Sequence, residues 1–543
     1  MTQRPDGRRR STSALTGTGR LVGLVVRRDR VRLLVWVVVL VVLMAYSAAQ
    51  VRDLYRTPES LAGYASTVSD NPALVVFAGP GYGLADDPTV GAVLVNETSL
   101  WMALGCALMS VFLVVRHTRA EEELERADLL RSLVVGRHAP LAAVLAVAVA
   151  ANTAVVAGSA VCTVAAGFPV AGTLALTVSF GAVGVCFAGV AAVAVQLVST
   201  ARGALGLGTA IAGFAFLLRG LGDISLHALS WLSPFGMAIG VRAFAGHRWW
   251  TPVGVLAGSA VAVVVAVVLS VRRDLGSGLV PQRPGPSSAR RWTTGPLGLS
   301  VRLQRAALLS WTAGVFVVAA VYGSVGDEIE AMLADNPQLA DYLARLQGVG
   351  LTDAFLATAL HMLALLACGY AVSSMLRART EESAGFAESM LATPLPRWWW
   401  IGSHVVVTVA GTTVIVATSA FGVGLGYAWA LGDAAQIGRL VGAGMSLLAP
   451  VLLVAALVAF VVGWLPRLAG LAWILLGMVV VIGLFGEVLR LPGWVRDLSP
   501  LEHVAAVPGR SWPAVPTVVL SGLCLAAFGA GVAGFCRRDL AGA

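Results

Sequence analysis

Lysine is absent from this chain: of its 543 residues, 38 are basic, and every one of the 38 is an arginine. A Walker A phosphate loop needs a lysine that reaches the nucleotide phosphates, and Schiff-base catalysis needs a lysine amine. The sequence therefore excludes both kinds of site from this chain. If the protein uses ATP through a phosphate loop, another chain supplies that loop.

Charge of either sign is also scarce. Charged residues make up 12% of the chain, whereas soluble domains carry about 25%. Hydrophobic residues make up 57%, which excludes a disordered chain, because disordered segments are poor in apolar residues. The six cysteines form no Cys-x-x-Cys pair, so the sequence predicts neither a metal site nor a disulfide framework.

What the chain has instead is a series of long apolar stretches. A helix that crosses a bilayer needs about 20 mostly apolar residues, and we count twelve such stretches. They lie at 33–50, 99–115, 140–166, 173–198, 203–219, 252–271, 306–325, 354–376, 401–430, 439–463, 468–489 and 514–535. The sequence therefore predicts an all-α polytopic membrane protein with 12 transmembrane helices.

Arginine is distributed unevenly between these stretches. With the N-terminus in the cytoplasm, the inner segments hold 28 arginines against 12 acidic residues, and the outer segments hold 10 against 17. Cytoplasmic loops of membrane proteins carry an excess of basic residues. The pattern predicts that both termini are cytoplasmic. The net charge of +9 then reflects orientation in the membrane and does not indicate a nucleic-acid partner.

The two halves of the chain share short sequences at a nearly constant spacing. Four matches are 265 or 266 residues apart: 70–74 with 335–339, 272–275 with 537–540, Arg202 with Arg467, and Ser233-Pro234 with Ser499-Pro500. Coincidence rarely produces four matches at one offset, so we predict two fused six-span halves. The predicted boundaries are a tail 1–32, a first half 33–271, a Pro/Gly/Arg linker 272–305, a second half 306–536 and a tail 537–543.

A further match, at an offset of 260, falls in the segments that join the second and third spans of each half. Glu121-Glu122 in the first link corresponds to Glu381-Glu382 in the second. Apolar residues recur at three- to four-residue steps over 119–134, which predicts a short amphipathic helix. Such a helix either lies in the lipid headgroups or docks a cytoplasmic partner. The duplicated acidic pair favours docking of two copies of one partner with a basic groove.

The links HTRAEEELERADLLRS (117–132) and RTEESAGFAESMLATPLPR (379–397), with the doubled Ser-Pro element, resemble those of ABC-2 type exporter permeases. More narrowly, the chain resembles the actinobacterial tetronasin-type permeases that export polyketide antibiotics. The resemblance implies a plasma-membrane permease made of two fused ABC-2 type six-helix halves. It also implies two copies of a separate ABC ATP-binding subunit, which hold ATP and Mg²⁺, whereas this chain holds no cofactor.

The resemblance assigns roles to particular residues. Coupling helices at 117–138 and 377–398 would dock the ATP-binding subunits. Elbow helices would lie at about 14–30 and 297–305, and re-entrant elements on the external side at 220–250 and 490–512. The docking residues would be Arg119, Glu121, Glu122, Glu125, Asp128, Arg379, Glu381, Glu382 and Glu388. The re-entrant elements would be centred on Ser233, Pro234, Ser499 and Pro500.

The predicted spans contain few polar groups. Asn152, Gln196 and His361 are candidates for a substrate cavity, although such residues more often form hydrogen bonds between helices. Glu97 and Asp353 lie just before spans and are interpreted as interfacial. An interior with almost no charge favours a hydrophobic small-molecule substrate that enters from the lipid bilayer, such as a drug or polyketide.

Three alternatives remain open from the sequence. An ABC exporter of lipids or cell-wall precursors has the same features. A proton-coupled antiporter needs buried titratable groups and a Gly/Asp/Arg loop motif, which the glutamate-rich links do not match. A polytopic membrane enzyme needs catalytic carboxylates at one face. The external carboxylates Asp70, Asp86, Asp87 and Asp335 have no convincing partner set.

Overall fold

The computed structural model describes residues 13–70, 75, 78–84, 88–124, 134–224, 227–273, 277–280, 288, 294–324, 326, 351–485, 492–504, 507–509, 512 and 514–540. Within these ranges every regular element is a helix. The chain divides into two compact units, Met1–Gly285 and Pro286–Ala543. The division falls inside the segment 272–305 that the sequence predicts as a linker.

Unit 1 consists of long helices joined by short ones. The long helices are α1 Thr18–Leu54, α3 Val90–His117, α5 Ala139–Ala165, α6 Val170–Leu197, α7 Ala201–Ile224 and α10 Trp250–Arg272. The short ones are α2 Pro58–Asp70, α4 Arg119–Glu123, α8 His227–Leu232 and α9 Pro234–Ile239. Helix α6 is apolar on all sides and packs against α3, α5 and α10, so it forms the centre of the unit.

Unit 2 has a comparable set of helices. They are α11 Pro296–Ser324, α12 Leu351–Ser383, α13 Phe386–Leu391, α14 Arg397–Leu431, α15 Ala435–Met445, α16 Leu448–Trp464, α17 Leu471–Phe485, α18 Gly493–Arg496 and α19 Ala514–Arg537, with 3₁₀ turns at Pro466–Leu468 and Pro500–His503. Helices α16 and α19 cross closely at Gly463 and Gly531, where a Cβ on Gly463 would lie 2.1 Å from the Gly531 carbonyl oxygen. Small residues permit this approach between membrane helices.

Eleven helical segments of the described residues are long and apolar enough to cross a membrane. The chain is therefore a polytopic, all-helical membrane protein. The remaining predicted span, 468–489, corresponds to α17, whose 15 described residues measure about 22 Å. That is shorter than a hydrocarbon core of about 30 Å. Residues 486–491 lie outside the described residues, so the count of twelve spans stays a prediction.

The structure corrects the expectation of separate elbow helices before the first span of each half. Helix α1 is continuous for 37 residues, about 55 Å, and contains both the predicted elbow and the first span. Helix α11 likewise contains the segment 297–305. The physical reason is local: α1 contains no proline, and α11 has one only at its first residue. Every interior backbone N–H is therefore available to continue the helix.

The links between the second and third spans are also less separate than the sequence predicts. Helix α4 continues α3 after a bend at Thr118 and is described only as far as Glu123. In unit 2, α12 runs without a break through Glu381 and Glu382 to Ser383, and α13 follows after Gly385, whose φ is +76°. The acidic pairs thus lie at the ends of the spans rather than on independent helices.

Candidate functional site

The two acidic pairs lie at corresponding ends of the two units, and most of their carboxylates are buried. Glu121 is 9% exposed, Glu381 7% and Glu382 3%. Burial of a carboxylate is costly unless it is paired and hydrogen-bonded. The structure supplies such partners in both units, and the second glutamate of each pair has the same partners in both.

Glu122 and Glu382 each lie between two arginines. Glu122 binds Arg119, one turn earlier, and Arg273, which follows the last helix of unit 1. Glu382 lies 3.0 Å from the Nη1 of Arg379, one turn earlier, and binds Arg538, which follows the last helix of unit 2. We name these sets cluster 1 (Arg119, Glu122, Arg273) and cluster 2 (Arg379, Glu382, Arg538).

The distal arginine of each cluster also binds the end of a third helix. Arg273 donates to the carbonyl oxygen of Val195, in the last turn of α6, at 2.7 Å. Arg538 donates to the carbonyl oxygens of Gly463 at 2.9 Å and Val462 at 3.2 Å, in the last turn of α16. The last carbonyl groups of a helix lack partners within the helix. Each cluster therefore joins the link to the ends of two further helices of its own unit.

The first glutamate of each pair has different partners in the two units. Glu121 accepts a hydrogen bond from Arg28 Nη1 of α1 at 2.8 Å. Glu381 accepts one from Arg377 Nε at 2.9 Å, and one of its oxygens lies 3.5 Å from His404 Nε2 of α14. Both contacts attach the link to a neighbouring turn or helix of the same unit.

The burial of these groups differs from what a docking role requires. The sequence predicts that these carboxylates dock a cytoplasmic partner, whereas the structure pairs them within each unit, and Arg119 is only 1% exposed. A group that docks on a partner has to be accessible at the surface, so docking by these residues stays a prediction. The predicted docking residues Glu125 and Asp128 lie outside the described residues.

Other residues of the links are exposed. Leu124 is 57% exposed and Phe386 66%, and Glu388 is exposed beside Phe386 on α13. Glu123 is exposed too, and its carboxylate accepts a hydrogen bond from the backbone N–H of Ala201 at 2.8 Å, which caps the start of α7. Leu124 and Phe386 are thus large apolar side chains that are accessible at the surface of the links.

The Ser-Pro elements start short helices in both units. Ser233 caps α9, accepts from the N–H of Phe235 at 3.2 Å and donates to the Ala215 carbonyl of α7 at 2.7 Å. This bond holds the short helices back against α7. Ser499 and Pro500 start a 3₁₀ turn and are buried. Their re-entry into a membrane stays a prediction.

The three polar candidates for a substrate cavity lie in different environments. Asn152 is buried, and its Nδ2 donates to Ser110 Oγ on α3 at 2.9 Å. A Cβ on Gly184 would lie only 1.8 Å from Asn152 Oδ1, so this glycine makes room for the amide. Asn152 is thus an interhelical hydrogen-bond group. Gln196 lines a cavity of about 150 Å³ beside Glu121 and cluster 1.

His361 lines a larger cavity of about 350 Å³ in unit 2. The same cavity is lined by Arg496 and Glu502, which form an ion pair at 2.9 Å. Of the three candidates, His361 is the one that faces a cavity of the size of a small ligand.

Sequence reasoning missed two features. It noted the repeated Arg-Arg-Asp-Leu but did not connect Arg273 and Arg538 with the acidic links. The signal was available: both the arginines and the acidic pairs recur in the two halves, and their charges are opposite. It also treated Glu97 as interfacial. Glu97 lies seven residues inside α3 and lines a cavity with Trp101, one turn further along.

Comparison with known proteins gives a consistent relationship. A family model described as the C-terminal domain of the multidrug efflux system permease Rv1217c matches residues 294–536. The multidrug efflux system permease protein Rv1217c of Mycobacterium tuberculosis is 36% identical over 542 residues, which cover 99% of this chain and 98% of that protein. The similarity therefore extends through both units.

Proposed function

The chain belongs to the family of the multidrug efflux system permease Rv1217c, and on this premise we propose that it is the permease subunit of an ATP-driven ABC exporter. Its substrates are hydrophobic drugs or polyketide-type antibiotics, which it moves out of the cell across the plasma membrane. The observation that carries the proposal is the similarity to a multidrug efflux permease over 99% of the chain.

ATP and Mg²⁺ are held by two copies of a separate ABC ATP-binding subunit. Two features support this division of labour. The chain has no lysine, so it has no Walker A loop of its own. It also presents two similar links at the ends of its spans, which suits two copies of one partner.

The proposed architecture is two fused ABC-2 type six-helix halves with both termini in the cytoplasm. It is supported by clusters 1 and 2, in which an arginine one turn before the glutamate and an arginine after the last helix hold the same carboxylate. The cluster residues of the links are 260 positions apart, and Arg273 and Arg538 are 265 apart. If one half is a duplicate of the other, the three residues of a cluster are expected together in both halves.

In this proposal the ATP-binding subunits contact the exposed groups of the links, Leu124 in unit 1 and Phe386 with Glu388 in unit 2. The partly buried clusters adjoin these exposed groups in the chain, since Glu122 precedes Leu124 by two residues and Glu382 precedes Phe386 by four. When ATP binding moves a subunit, the link moves with it. Cluster 1 then transfers the motion to α6 and α10, and cluster 2 to α16 and α19. Arg273 follows α10 and binds the end of α6, and Arg538 follows α19 and binds the end of α16.

The test is whether a neighbouring reading frame encodes an ATP-binding protein with a Walker A loop, followed by reconstitution of the chain with that protein. We expect a stable complex, ATP hydrolysis stimulated by hydrophobic drugs, and drug transport that requires ATP and resists protonophores. Drug transport by the permease alone that a protonophore abolishes would instead establish a proton-coupled antiporter.

A further inference from the structure

Glu97 places a carboxylate in a cavity of about 240 Å³ between α1 and α3. We propose that this cavity is a binding site for lipophilic organic cations. The inference rests on the proposed export function only in that such cations would be among the exported compounds. The cavity is lined by Leu43, Met44, Ser47, Glu97, Thr98, Trp101 and Met102.

Helix periodicity brings these residues together. Leu43, Met44 and Ser47 share one face of α1, and Glu97, Thr98, Trp101 and Met102 share one face of α3. Glu97 lies about 10 Å along α3 from its first residue, Val90. The carboxylate thus lies within an apolar helix that is long enough to span a membrane. An ionisable group in such a position marks a functional site.

The carboxylate of Glu97 has no cationic partner among the residues that the structure describes. Glu97 is partly buried. By contrast, Asp29 and Glu121, the buried acidic residues in the described part of unit 1, each pair with an arginine or a histidine of that unit. The hydroxyl of Tyr55, the residue that follows α1, lies near Glu97. Burial, with the charge of Glu97 nearby, raises the pKa of Tyr55 to about 12, so this hydroxyl keeps its proton at neutral pH.

The rest of the lining indicates what kind of cation fits. Trp101 supplies an aromatic ring that attracts a cation over its face, and Phe216 packs against it with 6.4 Å between the ring centroids. Met44 and Met102 add flexible, polarisable side chains that adapt to ligands of different shape. A metal ion such as Ca²⁺ needs about six oxygen ligands, whereas this cavity offers one carboxylate and two hydroxyl groups.

The cavity is accessible from the side of the helices. Leu43 is 44% and Trp101 45% exposed on the surface of unit 1. Apolar side chains exposed on membrane helices face lipid or another apolar surface. A cation with a large apolar body can therefore enter from the bilayer and keep part of its body there, with its charge beside Glu97.

The test measures binding of radiolabelled tetraphenylphosphonium to the full-length protein in lipid nanodiscs, without nucleotide. Tetraphenylphosphonium also dissolves in the lipid, but to the same extent for every variant, so the difference in binding between variants reports the protein alone. We expect Glu97→Gln to weaken binding about tenfold or more, because it removes a partly desolvated opposite charge. The matched control is Glu59→Gln, the same change at an exposed position of α2, which we expect to stay within about twofold of the original protein.

Two further measurements distinguish recognition from a loss of structure. Trp101→Leu retains Glu97 and should weaken tetraphenylphosphonium binding about fivefold by removing the aromatic face. Binding of tetraphenylborate, which has the same shape and the opposite charge, should not fall in Glu97→Gln. Unchanged tetraphenylphosphonium affinity in both variants would overturn the proposal, as would an equal loss for both ions.

This readout is separate from the proposed function. Binding is measured without ATP or a partner subunit, so the cation site stands if tetraphenylphosphonium binds through Glu97 even when no ATP-dependent transport is found. If ATP-dependent drug transport is found but Glu97→Gln binds tetraphenylphosphonium as tightly as the original protein does, the exporter stands and the cation site is overturned.

Discussion

Arg538 binds Glu382 through both terminal nitrogens of its guanidinium group, at 2.6 and 2.8 Å, across 156 positions of the chain. The pairing is bidentate, which combines two charge-assisted hydrogen bonds in one planar arrangement. The same guanidinium binds the end of α16. One side chain therefore holds three helices of unit 2 together: α12, α16 and α19.

Glu382→Ala should destabilise unit 2 by about 3 kcal/mol, because it leaves a partly buried arginine without its counter-charge. The measurement is unfolding of the purified protein in detergent. The control is Glu388→Ala, an exposed glutamate six positions further along, which should change the free energy of unfolding by less than about 0.5 kcal/mol. Equal effects of the two substitutions would contradict the structural role of cluster 2.

The double variant Glu382→Ala with Arg538→Ala should be less destabilised than the sum of the two single variants. Removing both charges leaves neither one unpaired, and contacting residues show coupling energies of about 0.5–3 kcal/mol. Glu122→Ala with Arg273→Ala should behave in the same way in unit 1. Additive effects in both pairs would show that these contacts do not stabilise the protein.

Phe386→Ala should weaken the complex with the ATP-binding subunit without lowering the stability of the permease. Exposed aromatic anchors contribute about 2 kcal/mol or more at protein interfaces, which is close to a thirtyfold loss of affinity. Copurification over a concentration series measures the loss. Val280→Ala, at a position of unit 1 that is 60% exposed, is the control. If Phe386→Ala retains the complex fully, Phe386 is not part of the docking surface.

Asn152→Ala should lower the free energy of unfolding by about 0.6–1.7 kcal/mol, the range for hydrogen bonds between membrane helices. It should leave the range of transported compounds unchanged, because Asn152 is bonded to Ser110 and lines none of the cavities named above. His361→Ala should alter that range, since His361 lines the cavity beside Arg496 and Glu502. Transport assays with a panel of drugs separate the two roles. A changed drug range in Asn152→Ala would refute the structural role.

Reporter fusions at the two termini test the number of spans. With twelve spans both termini are cytoplasmic, so alkaline phosphatase should be inactive at either end. If α17 stays on one side of the membrane, only eleven segments cross it. The C-terminus then lies outside the cytoplasm, and the C-terminal fusion becomes active. The arginine excess on the predicted inner segments favours the first outcome.

Hydropathy and charge along the chain were sufficient to predict an all-helical membrane protein. Eleven of the twelve predicted spans correspond to long apolar helices, because a run of about 20 apolar residues depends only on neighbours in the sequence. The prediction that elbow helices are separate from the first span of each half was wrong for a related reason. A change from polar to apolar residues marks where a helix enters the membrane, and without proline the helix itself continues.

The sequence by itself thus determined the fold class, the family resemblance and the existence of two acidic links. It could not determine that Glu122 and Glu382 are bound by Arg273 and Arg538, which are 151 and 156 positions away. Nor could it determine that Glu97 faces Met44 and Trp101 in a cavity. Such contacts depend on the register in which helices pack, and packing register is set by side chains of several helices at once. Only the tertiary structure therefore decided which charges are paired and which carboxylate is left for a ligand.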